Sequence, residues 1–472
     1  MNSLISTLTD SQRELLIKLF ERGSMNNLAQ CVKGIDSLAG FQTLAIAYSI
    51  ITEKCLLNID TGLGKTLIAS GIMNILSAQK PALKWVYLCQ CSNLETTANK
   101  LKSHLFSSNV VYCDSTESRI VNTFFTRKAI NANVIILSYE AITQPEVEGF
   151  LFKNRDLFQG IVLDESQILS NLTSHTSRLI AAIMNSCHYR YMLSATPLRI
   201  SAEQVVNQIQ MLDPDMFSQT AISSFMNNFR VWHDGEVVGY KDLDELQYLL
   251  MTRMLSFSRS ELGMRGEYTP IMELCASGLD NEARTPDIID YKEDPYSNTM
   301  LRLVKDIKAY QQQGKRGIIY ANRNRLKKAI SRALTNNGIC CDIMDGTHTS
   351  TQKAKAIVHQ RFLNKELDVL ITNVTTGKDL PCDYIIFYEL TFDYKQMLGR
   401  GERGLQGAAL DVKFILTDSL AEMKFFYLNV FQRGVLLEKL CDKDLPELHG
   451  AMHQLEQKLA QKGVDLSGLC NQ

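Results

Sequence analysis

Lys65 and Thr66 close the segment Ile59-Asp-Thr-Gly-Leu-Gly-Lys-Thr66, which stands between the apolar run CLLNI at 55–59 and the helical pattern LIASGIMNIL. In that setting the backbone of Thr61, Gly62, Leu63 and Gly64 can turn N–H groups onto phosphate oxygens. Lys65 can reach the β and γ oxygens of ATP, and the Thr66 hydroxyl can ligate Mg²⁺. Ile59 occupies the place of the first glycine in the usual G-x-x-x-x-G-K-[ST] pattern. Further on, Gly160-Ile-Val-Leu-Asp-Glu165 ends an apolar run on two carboxylates. Asp164 is placed to hold Mg²⁺ through water, and Glu165 to orient or deprotonate the attacking water. A lone Asp-Glu pair also suits a solvated turn or a helix cap; downstream of a phosphate loop, hydrolysis is the better reading.

A second set of chemical residues lies far downstream. Thr372-Asn-Val-Thr-Thr-Gly377-Lys-Asp379 follows a strand-like run, with Gly377 allowing close backbone approach and Asp379 able to accept from a ribose hydroxyl. In Gln396-Met-Leu-Gly-Arg-Gly-Glu-Arg403, helical spacing puts Gln396 with Arg400, and Arg400 with Arg403, on one face. Guanidinium groups brought in from a far lobe neutralise charge that builds on the γ-phosphate at the transition state. The alternative is a solvated basic helix end with Glu402 as ion-pair partner. Gln42, in GFQTLAIAYS ahead of the phosphate loop, can read adenine because its amide both donates and accepts; a surface helical glutamine is the other reading.

These residues need a scaffold, and the hydrophobic pattern supplies two. Continuous apolar runs at 55–59, 85–89, 134–138, 160–164 and 189–194 suit strands covered on both faces, hence a parallel sheet in an α/β domain. A second series follows at 316–321, 367–372, 383–389 and 412–417. The expected organisation is a helical N-terminal segment (1–36), a first lobe (37–276) with a helical insertion at about 201–255, and an interlobe connection at 277–298. The second lobe covers 299–435 and a helical cap 436–472. The connection is read from the polar stretch SGLDNEARTPDIIDYKEDPYSN with its two prolines.

At 472 residues the chain has room for two or three cores. Its 45% hydrophobic and 21% charged content is ordinary for a globular protein, and a net charge of -1 gives no global basic signature, so a nucleic-acid partner has to be held by a local groove. None of the twelve cysteines forms a C-x-x-C pair, which favours free thiols in a reducing cytosol over a metal site. The opening MNSLISTLTDSQRELL lacks a signal-peptide pattern and no membrane span is expected, which points to a cytoplasmic protein.

The ordered set Gln42, GLGKT, Tyr139 in ILSYEAI, DESQ, SATP, IIYANR, ITNVTTGKDLP and QMLGRGERG resembles the superfamily 2 helicase and translocase core over residues 38–435. GLGKT, the segment Asp164-Glu-Ser-Gln-Ile-Leu-Ser-Asn171 with Ser174 and Ser177, and GYKDLDELQYLLMTRMLSFSRSEL are similar to Swi/Snf-type DNA translocases. Ser166 and Gln167 stand where that family carries a small residue and a histidine, and SATP is the helicase form of a motif that usually reads GTP in Swi/Snf proteins. Gln167 can still hydrogen-bond between the carboxylates and the SAT segment. The resemblance implies two tandem RecA-like P-loop domains, ATP and Mg²⁺ as cofactors, and a DNA-dependent ATPase acting on duplex or branched DNA. It further implies nucleic-acid contacts at Asn93, Ser138, Tyr139, Asn322, Arg323 and Thr372. The compact size, with few appendages, suits a monomeric factor of replication, recombination or repair. The competing readings are an RNA helicase of the same superfamily and an ATP-binding switch that does not hydrolyse.

Overall fold

The computed structural model describes residues 30–461 apart from 107–108, 114–117, 218–221, 234, 265–267, 280–282, 346–351, 374–379, 392–393, 402–408, 442 and 444. Most of the expected helical N-terminal segment, residues 1–29, lies outside the described residues. The chain divides into two compact units, one running to Ser258 and taking in Lys439–Asp442, the other comprising Arg259–Glu438 and the chain from Lys443 on.

The first unit holds α1 (Gly40–Thr52), β1 (Lys54–Ile59), α2 (Lys65–Gln79), β2 (Trp85–Cys89), β3 (Val110–Tyr112), β4 (Val134–Ser138) and β5 (Gly160–Asp164). It continues with α3 (His175–Ser186), β6 (Tyr189–Ser194), α4 (Glu203–Leu212), β7 (Arg230–His233), β8 (Glu236–Tyr240), α5 (Leu243–Met251) and β9 (Met254–Phe257). Seven of these strands form one sheet in the order β3-β4-β2-β5-β6-β1-β9, every neighbouring pair parallel. The central strands are buried along their length, which is why they read as unbroken apolar runs. The insertion expected to be helical also contains the antiparallel hairpin β7-β8 and returns to the sheet through β9. Cys441 belongs with this unit: its carbonyl accepts from Asn58 Nδ2 on β1 at 2.7 Å.

The second unit is built on β10 (Tyr268–Cys275), α6 (Thr285–Glu293), α7 (Asn298–Gln312), β11 (Gly317–Tyr320), α8 (Asn324–Asn336), β12 (Cys341–Met344), β13 (Val369–Thr372), β14 (Tyr384–Phe387), α9 (Tyr394–Gly401) and β15 (Leu410–Thr417). Its sheet is also parallel, in the order β10-β15-β14-β11-β13-β12. Two α/β units on parallel sheets are thus present, as expected. In both, a strand glycine lies beneath an aromatic ring of the paired strand, Gly160 under Trp85 and Gly317 under Tyr384, where any Cβ would enter the ring.

The expected boundaries need correction. β10 was expected within the first lobe, yet it pairs with β15 from Tyr268 opposite Leu410 to Cys275 opposite Thr417. Helix α10 (Pro446–Ala460) packs along it: the Gln454 amide accepts from Met272 N at 2.8 Å and donates to the Pro270 carbonyl at 2.7 Å. The stretch 277–298 is no simple connection, because it contains α6 and the buried Lys292. The Lys292 ammonium donates to the carbonyls of Tyr388 (2.8 Å) and Ile415 (2.9 Å) and pairs with Glu422 at 2.5 Å. Both prolines that read as linker signals have helical duties: Pro286 opens α6, where its missing N–H costs nothing, and Pro295 follows directly after its C-cap residue Asp294.

Candidate active site

The phosphate loop leaves β1 and enters α2 through two left-handed glycines, Gly62 and Gly64, each at φ +83. That conformation requires glycine at both positions. Gln42, on the first turn of α1, holds the loop from one side: its Oε1 accepts from Ala39 N at 3.1 Å, capping α1, and its Nε2 donates to the Leu63 carbonyl at 3.1 Å. A Cβ on Gly64 would come within 2.7 Å of Gln42 Nε2. Gly64→Ala is therefore expected to weaken nucleotide binding by at least about tenfold, since left-handed strain of ~1–2 kcal/mol adds to the displaced amide. Titration with a fluorescent nucleotide checks this; wild-type affinity would show that the loop does not need this geometry.

Lys65 folds back so that its ammonium donates to the Ile59 carbonyl at 3.0 Å. Burial pushes the Asp164 carboxyl up to about 6, the Glu165 charge adding to the rise while the Lys65 ammonium and the Glu165 N–H act against it. Lys65 and Asp164 therefore belong to one electrostatic site. Asp164 Oδ1 accepts from Glu165 N at 3.1 Å, and the Asp164 carbonyl accepts from the Tyr139 hydroxyl at 2.9 Å. The left-handed glycines and the hard oxygen donors of Thr66 and Asp164 fit a Mg²⁺-nucleotide.

Glu165 stands at φ +55, a left-handed conformation uncommon for a side chain of this size and one that persists only when neighbours hold it. They do so through a line of hydrogen bonds. Gln167 Nε2 donates to Glu165 Oε2 at 2.8 Å; Gln167 Oε1 accepts from Ser194 Oγ at 2.7 Å; Ser194 Oγ in turn accepts from Thr196 N at 3.0 Å. Gln167 thus joins the carboxylate at the end of β5 to the SATP turn after β6, as its amide chemistry led us to expect.

The residues expected at a nucleic acid are placed as follows. Asn93 is half-buried at the start of the helix Leu94–His104. Ser138, Tyr139 and Thr372 are buried and hydrogen-bonded within the protein. Ser138 Oγ accepts from Ala141 N and closes a turn, Tyr139 supports Asp164, and Thr372 Oγ1 donates to the Met344 carbonyl at 2.7 Å. Asn322 and Arg323 are exposed at the N-terminus of α8, where backbone N–H groups attract anions. Glu389 already takes that position: its carboxylate accepts from Asn322 N (2.6 Å), Arg323 N (3.0 Å) and the Arg323 guanidinium (2.6 Å). A phosphate bound here must displace it. Gln396 and Arg400 lie on α9; Gly377, Asp379 and Arg403 lie outside the described residues.

Sequence reasoning missed Gln208, Ser166 as its partner, and Glu389. A signal for Gln208 was present in the uncharged polar residues Gln204, Asn207 and Gln208, which share one face of α4 at helical spacing.

A phosphate loop on one strand and an acid pair closing another strand of the same parallel sheet define a P-loop nucleoside triphosphatase. The SNF2-related domain family matches residues 25–269, more than half of the chain, and the chain belongs to that family, the Swi/Snf-type ATPases of superfamily 2. Among curated proteins, the DNA annealing helicase and endonuclease ZRANB3 of Bos taurus is 21% identical over 420 residues. The match takes in 81% of this chain and 38% of ZRANB3, so the chain spans well under half the length of that relative. Among solved structures, the Sulfolobus solfataricus SWI2/SNF2 ATPase core in complex with dsDNA aligns over 90% of this chain and 97% of its own, at 14% identity and a TM-score of 0.43.

Proposed function

We propose that the chain is a DNA-dependent ATPase that converts hydrolysis into translocation along DNA, or into its remodelling, during replication, recombination or repair. Lys65, Thr66 and the Thr61–Gly64 backbone hold the triphosphate, Gln42 reads adenine with its remaining amide positions, and Gly377 and Asp379 serve nucleotide binding. Thr66 and Asp164 hold Mg²⁺, which supplies charge neutralisation at the phosphates. Glu165 takes the proton of the attacking water, and Gln396, Arg400 and Arg403 neutralise charge that builds at the γ-phosphate.

The observation that carries this reading is the hydrogen-bonded line Glu165–Gln167–Ser194–Thr196. A site that only bound ATP has no use for a buried link from its general base to the loop after the neighbouring strand. A motor does, because nucleic-acid engagement has to reach the base.

The test is ATP turnover with duplex DNA, single-stranded DNA and RNA, followed by displacement of a triplex strand from the preferred polymer. The expected result is stimulation by DNA and triplex displacement. Response to RNA alone selects an RNA helicase, and tight ATP binding with no turnover on any polymer selects a switch; either overturns the proposal.

A further inference from the structure

Helix α4 ties together the same two loops that Gln167 joins, by a separate route. Ser166 Oγ, next to Glu165, donates to Gln208 Oε1 at 2.8 Å; Gln208 Nε2 donates to the Pro197 carbonyl at 2.7 Å and to the Gln204 carbonyl at 3.0 Å. One turn away, Gln204 Oε1 accepts from Arg199 N (2.8 Å) and Ile200 N (2.6 Å), while its Nε2 donates to Ser170 Oγ at 3.3 Å. Asn207 Nδ2 adds a bond to the Ser170 carbonyl at 2.7 Å. Three amides on one helix face therefore grip both ends of the Ser166–Ser170 3-10 turn and the Pro197–Ile200 turn at Pro197, Arg199 and Ile200.

The first residue of α4 carries a third attachment. Glu203 Oε1 pairs with Arg230 Nε at 2.8 Å and Glu203 Oε2 accepts from the Tyr240 hydroxyl at 2.5 Å. Arg230 and Tyr240 face each other at the root of the β7-β8 hairpin. The carboxylate loop, the SATP turn and the hairpin root are thus fastened to a single helix.

We propose that α4 is a coupling lever of this ATPase and that Gln208 is its positioning residue, acting on Glu165 through Ser166. The inference rests on the proposed hydrolytic function and adds a second path to the Gln167 link. Gln208 and Ser166 are both fully buried, so neither can exchange its partner for water. Movement of the SATP turn or of the hairpin root reaches the backbone flanking Glu165, the residue already held in a left-handed conformation.

Three variants separate the bonds. Ser166→Ala removes one bond and little volume. Gln208→Glu keeps an acceptor for Ser166 but loses the donor to Pro197 and Gln204, and Gln208→Met keeps the length and loses all three bonds. Each variant cuts the path from Ser166 to Pro197, and the ratio of DNA-stimulated to basal turnover is expected to fall by about tenfold or more, tenfold being the kinetic equivalent of a single lost buried hydrogen bond, with the KM for ATP held within about twofold. The double variant Ser166→Ala with Gln208→Met should be no worse than Gln208→Met alone. An unchanged ratio, or losses that multiply, overturns the proposal.

Amide hydrogen exchange on the same proteins needs no turnover. Ser166→Ala, which alters only the first loop, is expected to speed exchange at 198–200 as well as at 164–170. Acceleration confined to 164–170 overturns the lever whatever the ATPase assay gives, whereas a wild-type chain that fails to hydrolyse ATP defeats the hydrolytic reading alone.

Discussion

Glu165→Gln is expected to lower ATP turnover by about 10²–10⁴, the range that general-base catalysis supplies, while nucleotide affinity stays near wild type. The replacement is close to isosteric, and a glutamine at this position still offers an oxygen to the Gln167 Nε2 that now lies 2.8 Å from Glu165 Oε2. The φ of +55, the Asp164 carboxylate and the phosphate loop are left as they are. What is removed is the capacity to accept a proton from water. Single-turnover hydrolysis measured beside a nucleotide titration separates the two effects. A variant with close to normal turnover would assign the base elsewhere.

Arg403→Ala should be at least as damaging. If the arginines of the QMLGRGERG segment neutralise charge at the γ-phosphate, their loss costs about 10³–10⁵ in rate. Ground-state ATP binding, which depends on Lys65 and the phosphate loop, should survive. Arg400→Ala tests its neighbour on α9 in the same way. Arg403→Lys is the informative control: an ammonium restores charge but not the planar two-point fork, so recovery should be small. Hydrolysis unaffected by Arg403→Ala would remove the second unit from the chemistry.

Much of the scaffold was legible because parallel strands buried on both faces leave unbroken apolar runs. Five of the strands in the first sheet coincide with such runs. The strands that escaped notice are edge or near-edge strands: β3, β9, β10 and β12 are short or carry polar residues on a half-covered face. The β7-β8 hairpin was hidden because it stands largely exposed, with Trp232 at 51%, and so lacks the inward-facing apolar alternation of a core strand. Prolines 286 and 295 misled because proline marks both the start of a helix and the end of one, and only the fold distinguishes these duties from a linker.

The phosphate loop and the acid pair were readable for a different reason. Their chemistry is local, fixed by residues adjacent in sequence. Glu389 and Gln208 act on residues 66 and 42 positions away, and no local pattern announces such partners. Tyr139 was read from its place in a motif, which gave no sign that its hydroxyl braces the Asp164 carbonyl.

Gln167 also bears on how the site responds to acidity. A histidine in its place would gain a proton between pH 5 and 8 and with it change the charge beside Glu165. A carboxamide has no such titration, so Gln167 itself carries the same charge from acidic to alkaline conditions. It also has a polarity. Its N–H faces the carboxylate and its carbonyl faces the Ser194 hydroxyl, and rotating the amide by half a turn would set oxygen against oxygen at Glu165. An imidazole can trade donor for acceptor by changing tautomer; this amide cannot, so each of its ends keeps a single hydrogen-bonding role.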